Sequence, residues 1–164
     1  MDVDRLIAEF ADGPRQVREA LGSVAPERLD VRPRPQKWSA REIALHLCDT
    51  EISVAFRMKR AIAEPGGAVL AFDQDCWANA LGPYQDLNLA LSAFAAVRTE
   101  MATILGRLPA ESWAHVSVHP EAGAVRLDEW LARFVEHTRR HIGQILALAE
   151  DGLAAGGAPS PSAG

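Results

Sequence analysis

Three histidines are placed in the sequence where they could share one ligand. His137 and His141 are four residues apart within a strongly helical pattern, so their imidazoles leave one helix face about one turn apart. Two ring nitrogens on such a face can reach a single metal ion at roughly 2.0–2.1 Å. The pair alone is a common pattern, and two ordinary surface or packed histidines explain it better than a metal site does.

His46 adds a third imidazole from a different predicted helix. It lies on a mostly apolar stripe between Ile43 and Thr50. Three inward-facing histidines without acidic partners at helical spacing would each bring a polar nitrogen into the core, where it must be satisfied. One shared ion satisfies all three nitrogens. The sequence therefore predicts a divalent transition-metal site formed by His46, His137 and His141.

A neutral three-histidine site leaves the charge of its ion uncompensated and at least one coordination position open. Such an ion can lower the pKa of a bound water or stabilise a thiolate, which suits hydrolysis, or transfer and isomerisation with a low-molecular-weight thiol. A structural zinc site normally has four protein ligands, so three ligands favour an enzyme that acts on a small molecule. The alternative is a non-enzymatic stress-related or interaction protein with a structural metal.

Four further residues are candidates for substrate binding or for contacts to the ligand histidines. Arg57 lies 11 residues beyond His46, about three helical turns, and could bind an anionic group; an ion-paired arginine is an equal alternative. Asp75 and Trp77, with the nearby Asp73, could line the mouth of the site, with a helix cap and loop anchor as the alternative. His119 lies in the loop that enters the ligand-bearing helix and could approach the pocket, but a structural loop histidine is the favoured alternative.

Four long helical patterns position these residues. Their predicted bounds are about Val3 to Leu21, Ser39 to Glu64, Asp86 to Leu105 and Leu127 to Asp151. Ser39 and Glu42 form a capping box, whereas Gly13-Pro14 predicts a kink or a restart in the first helix. No segment shows convincing strand alternation, and residues 65–85 read as an irregular connection. We therefore predict an all-α protein, an antiparallel four-helix bundle.

Length and charge restrict the other possibilities. The 164 residues predict one domain over residues 1–151 and a disordered Gly/Ala/Ser/Pro tail over 152–164. A net charge of -5 without a Lys/Arg block argues against nucleic acid. No apolar run approaches the ~20 residues of a membrane span, and the start lacks signal-peptide features, so we expect a cytoplasmic protein. Cys48 and Cys76 are expected to be free thiols.

Two segments resemble the hallmark stretches of the DinB/YfiT-like superfamily: KWSAREIALH at 37–46 and HTRRHIGQI at 137–145. RMKRA at 57–61 with Glu64-Pro65, the segment around Trp77, and HPEAG at 119–123 are similar to its YfiT-like branch. The resemblance covers nearly all of the chain except the tail.

The resemblance implies a four-helix bundle, often a homodimer, with a nickel- or zinc-type ion on three histidines. Its relatives include metal-dependent hydrolases, thiol S-transferases and a thiol-dependent maleylpyruvate isomerase, so it implies a small-molecule substrate and leaves the reaction open. One departure is Arg126, where a Ser or Thr helix cap is expected, and this weakens the predicted cap but not the site.

Overall fold

Four long helices form the protein's bundle, as the all-α prediction requires. The computed structural model describes residues 2–156, with side chains to 151. Its helices are α1 (Val3–Gly22), α2 (Ala40–Ala63), α3 (Gln74–Leu81), α4 (Leu87–Leu105) and α5 (Leu127–Gly156), and its strands are β1 (Val116–His119) and β2 (Gly123–Arg126). Helices α1 and α2 each pack against both α4 and α5. The first two long helices are therefore diagonal neighbours, and the connection between them crosses an end of the bundle.

The buried core consists of two apolar clusters with a polar layer between them. One cluster is centred on Phe10, Met58, Met101 and Leu131, and the other on Val17, Leu47, Phe94 and Ile145. Along the helices the change from one cluster to the other falls at buried polar side chains, which are Asp49, Thr50, Glu51, Arg98, Thr138 and His141. Buried polar groups need partners, so this layer is where side-chain hydrogen bonds concentrate.

A buried ion pair occupies the middle of the polar layer. Arg98 donates from Nε to Glu51 Oε2 at 3.0 Å and from Nη1 to Thr138 Oγ1 at 3.1 Å. Its guanidinium lies over the ring of Phe10, 4.1 Å from the centroid. A Cβ on Gly13 would come within 2.7 Å of Arg98 Nη1. The glycine of the predicted break therefore makes room for Arg98, and α1 continues to Gly22 without a restart.

The start of α2 agrees with the predicted capping box. Ser39 Oγ accepts from the Glu42 amide at 3.2 Å, and Glu42 Oε2 accepts from the Ser39 amide at 2.8 Å. At the start of α5, where Arg126 replaces the expected Ser or Thr, Glu129 accepts from the Arg126 amide at 3.3 Å. Half of a capping box thus remains at α5.

The irregular connection predicted for residues 65–85 is wrong in part, because it contains α3. Asp73 caps this helix, accepting from the backbone amides of Asp75 and Cys76 at 3.0 and 2.9 Å. The cap alternative weighed for this segment therefore applies to Asp73. Eight residues are too few to give a reliable apolar periodicity, so the sequence pattern did not reveal the helix.

The absence of strands was also predicted wrongly, since β1 and β2 form an antiparallel hairpin. Residues 66–69 run beside β1, with Gly66 N donating to Val116 O at 2.8 Å and Val69 N to Val118 O at 2.9 Å. Trp130 on α5 donates to Ser117 Oγ at 2.9 Å. Strands of four residues carry too little alternation to be recognised, and packing on α5 stabilises them.

The remaining predictions concern the chain end, the cysteines and the membrane. Helix α5 continues to Gly156, beyond the predicted end at Asp151, because Leu153, Ala154 and Ala155 are strong helix formers. Residues 157–164 of the predicted disordered tail lie outside the described residues. Cys48 and Cys76 are free thiols, the first buried and the second exposed. Among the described helices, none has the length and hydropathy that a bilayer span requires.

Candidate metal centre

Helices α2 and α5 bring the three predicted histidines together. His137 Nε2 lies 3.2 Å from His46 Nε2 and 3.1 Å from His141 Nε2. One ligand atom from each residue lies within 4.8 Å of the others. His46 and His141 are buried, at 4% and 5% exposure, and His137 is half-buried. Three imidazole nitrogens thus converge on one point at the edge of the core.

Polar neighbours orient two of the imidazoles from behind. Gln144 Oε1 lies 2.8 Å from His141 Nδ1, so this nitrogen donates its proton to the amide oxygen and Nε2 keeps a free lone pair. Thr50 Oγ1 lies 3.4 Å from His46 Nδ1 on the next turn of α2. Such partners on the far nitrogen fix the ring orientation and the tautomer of a metal-binding histidine.

All three imidazoles are held in the neutral form. Burial is the main cause that lowers the pKa of His46 to about 4 and that of His137 to about 3, with the neighbouring histidines and Arg140 adding to the effect. Burial also lowers the pKa of His141, although its hydrogen bond to Gln144 acts in the opposite direction. Neutral imidazole is the form that binds metal, so the site is prepared for an ion at pH 7.

A cavity opens beside His141. Its volume is about 470 Å³, and its walls come from the crossover before α2, the start of α3 and one face of α5. Asp75 contributes to its wall. Trp77 packs against Phe72 instead, with ring centroids 4.8 Å apart and the rings tilted by 48°. Among the residues that the structure describes, Trp77 is not part of the wall of this cavity.

Arg57 and His119 form a separate group around Trp130. Arg57 donates from Nη2 to Leu70 O at 3.0 Å, and its guanidinium lies 5.3 Å from the Trp130 ring. The His119 ring centroid is 5.9 Å from the same ring. Trp130 precedes His137 by seven residues, roughly 10 Å along the helix axis. Both candidates therefore lie near Trp130, about two turns of α5 before His137.

Two residues that contact the histidines are not among the predicted site residues. The ring centroid of Trp38 lies 4.7 Å from that of His46 and 6.4 Å from that of His141. The other is Gln144, whose position three residues after His141 placed it on the same helix face. Trp38 is immediately before the capping Ser39, which indicates a buried staple position, but nothing in the sequence showed which ring it would cover.

The donor set consists of imidazoles only. Within the described part of the chain, no thiol or carboxylate joins the three histidines to complete a four-ligand group. Burial is the main cause that raises the pKa of the Cys48 thiol to about 12, so this cysteine is an unreactive core residue. Three protein ligands would leave room on an ion for a water or a substrate atom.

Comparison with protein families gives one match over most of the chain. The model of the DinB superfamily matches residues 9–145. A protein of Oceanobacillus iheyensis named "Putative metal-dependent hydrolase OB0782" is 24% identical over 146 residues, which cover 89% of this chain and 85% of the relative. A protein of Bacillus mycoides with the same description is 22% identical over 148 residues, covering 90% of this chain and 86% of the relative.

Solved structures share the fold. YfiT from Bacillus subtilis, described as a probable metal-dependent hydrolase with an unusual four-helix bundle topology, superimposes with a TM-score of 0.84 at 21% identity, covering 91% of this chain and 86% of YfiT. A mycothiol-dependent maleylpyruvate isomerase superimposes with a TM-score of 0.68 at 14% identity, covering 95% of this chain and 69% of the isomerase.

Proposed function

This chain belongs to the DinB superfamily, and from that membership and its converging histidines we propose that it is a metal-dependent enzyme acting on a small molecule. His46, His137 and His141 hold the ion. The reaction is hydrolysis or transfer of a low-molecular-weight thiol. Curated relatives are named as metal-dependent hydrolases, and the name of one structural neighbour includes a dependence on mycothiol.

The convergence of three Nε2 atoms is the observation that carries the proposal. Two nitrogens bound to one ion at roughly 2.0–2.1 Å, at an angle of about 90–110°, are separated by about 2.9–3.4 Å. The two separations from His137 are 3.2 and 3.1 Å. Without an ion, a proton on His137 Nε2 can be donated to only one of the other two Nε2 atoms, so one buried nitrogen is left without a partner, which is costly. The residues therefore fit a shared cation.

The chemistry of the donors favours a transition metal. Imidazole suits zinc, nickel, copper and iron, whereas calcium and magnesium require oxygen ligands. We therefore propose zinc or nickel as the ion. The lack of a fourth ligand among the described thiols and carboxylates argues against the structural-metal alternative, in which the protein would close the coordination sphere.

The residues around the ion have distinct roles in this proposal. When bound, a divalent ion of this kind supplies Lewis acidity to a water or a thiol. Gln144 and Thr50 orient His141 and His46 through their Nδ1 atoms. Asp75 lines the cavity beside His141 and is proposed to contact the substrate there. Contact of Arg57, Trp77 and His119 with substrate remains a prediction.

Metal binding tests the first part of the proposal. Elemental analysis of purified protein incubated with zinc or nickel should give one ion per chain. His137→Ala and His141→Ala should each lose it, because the two remaining imidazoles cannot hold a labile ion. His115→Ala is the matched control, since His115 lies outside the cluster, and should keep the full content. Equal metal content in His137→Ala and in the unmodified protein would refute the assignment.

Turnover tests the second part. The metal-loaded protein should be assayed with a panel of thiols combined with electrophiles, and with esters and amides. We expect activity that a chelator abolishes and that zinc or nickel restores. A fully loaded protein that is inert toward the whole panel would contradict the enzyme proposal and favour the non-enzymatic alternative.

A further inference from the structure

The cavity beside His141 has the size of a small-molecule site. Its volume of about 470 Å³ falls within the range of roughly 300–1,000 Å³ that is usual for ligand pockets. His141 forms part of its wall, together with Gln144, which accepts from His141 Nδ1, and Trp38, whose ring packs on His46 and His141. A molecule in the cavity therefore lies against the imidazole of His141 and the residues that orient it.

Positive charge dominates the side chains that line this cavity. Lys37 and Arg140 are both in its wall, against one carboxylate, that of Asp75. Neither cation is within 4.0 Å of a carboxylate oxygen among the described residues. The neighbouring Arg139, by contrast, is paired with both Glu9 and Glu136. Two consecutive exposed arginines thus differ: Arg139 is paired with carboxylates, whereas Arg140 lines the cavity and has no carboxylate partner among the described residues.

Apolar side chains and three glutamines, Gln36, Gln74 and Gln144, form most of the rest of the wall. Trp38 is the largest of them, and its ring packs against the imidazoles of His46 and His141. Ile43, Ala147 and Leu148 lie in the same wall. A ligand that fits this surface has a hydrophobic part for Trp38 and an acidic group for the two cations.

We propose that the cavity binds small organic acids, with a carboxylate held by Arg140 and Lys37 and an apolar portion packed on Trp38. Arg140 is suited to this task because a guanidinium can donate two parallel hydrogen bonds to one carboxylate. His141 lies in the same wall, so the bound acid is placed beside it. The inference rests on the proposed function for the reaction that follows, but acid binding itself does not require the ion.

Ligand titration followed by NMR tests this proposal in the zinc-loaded and in the metal-free protein. The probes are 3-phenylpropionate and its neutral analogue 3-phenylpropanamide, and the readout is the indole N–H resonance of Trp38, identified by its loss in Trp38→Phe. We expect the acid to bind about tenfold more tightly than the amide in both forms, which corresponds to one charge-assisted hydrogen-bond pair. The preference should fall to about twofold in the double variant Lys37→Gln/Arg140→Gln.

The matched control is the double variant Lys59→Gln/Arg139→Gln, which removes the same charge from cations that are already paired with carboxylates. It should keep the tenfold preference. Equal binding of acid and amide, or the same loss of preference in both double variants, would overturn the proposal, as would an unchanged Trp38 resonance at millimolar acid. If the protein binds the acid more tightly than the amide but binds no metal, only the proposed function is refuted. If it binds one metal ion per chain but shows no preference for the acid over the amide, only this inference is refuted.

Discussion

At the scale of single residues, the site depends on imidazoles that are kept neutral by burial. Their types and their spacing were enough to predict that His46, His137 and His141 converge. The contacts that orient them were not all predictable. Trp38 reaches His46 and His141 only because the crossover before α2 brings it over the bundle end, and no local pattern encodes that path. Helical geometry places Gln144 on the same face of α5 as His141, so their contact could have been predicted. Many glutamines, however, occupy such positions without contacting a histidine.

Buried neutral histidines make the metal-free protein sensitive to acid. Burial lowers the pKa of His46 to about 4 and of His137 to about 3, whereas a histidine in the unfolded chain has a pKa near 6.5. Below pH 6.5 the unfolded state therefore binds more protons, and stability falls as the pH falls toward the folded-state values. Each histidine contributes at most about 1.4 kcal/mol per pH unit.

Urea unfolding of the metal-free protein at pH 7, 6, 5 and 4 measures this effect. We expect the free energy of unfolding to fall steadily over that interval, and to fall less in the double variant His46→Asn/His137→Asn. The difference between the two proteins isolates the histidines from carboxylates that titrate in the same range. Parallel pH profiles for the two proteins would contradict the prediction.

At the scale of secondary structure, local signals were predictable and long-range contacts were not. The capping box of Ser39 and Glu42 lies within one turn, and it marked the start of α2. The β hairpin depends on Trp130 of α5 and on residues 66–69, which are distant in sequence. Likewise, α1 passes through Gly13-Pro14 where Arg98 of α4 fills the space beside the glycine. The sequence predicted a kink or a restart there, because it does not show that Arg98 packs beside Gly13.

Gly13 is therefore required by packing, and Gly13→Ala should destabilise the protein by about 1–3 kcal/mol. The added Cβ would come within 2.7 Å of Arg98 Nη1, and this guanidinium is held by Glu51 and Thr138. Gly22→Ala is the control, because its Cβ would meet no atom within 4 Å. Urea unfolding should place Gly22→Ala close to the unmodified protein. Equal stability of the two variants would show that Arg98 moves without cost.

At the scale of the whole molecule, α2 has two faces with different exposure. Its inner face carries His46 and the ion-paired Glu51, whereas Ile52 and Phe56 are 61% and 51% exposed on its outer side. These two are four residues apart and so lie on one helix face. On the neighbouring α4, Leu89 is 71% exposed. Large apolar side chains grouped on a surface often mark an association site.

We expect this face to be the interface of the homodimer that the family resemblance implies. Burying a fully exposed large apolar side chain contributes about 1.5–3 kcal/mol, and Ile52 and Phe56 still have 61% and 51% of their surface to cover, so each would contribute about half to two thirds of that amount to association. Light scattering should give twice the chain mass of 17.7 kDa for the unmodified protein, and the single mass for Phe56→Glu. Leu70→Glu is the control, since Leu70 is 80% exposed on the connection after α2, and should remain dimeric. A mass of 17.7 kDa for the unmodified protein at all micromolar concentrations would refute dimerisation, and a dimeric Phe56→Glu would place the interface elsewhere.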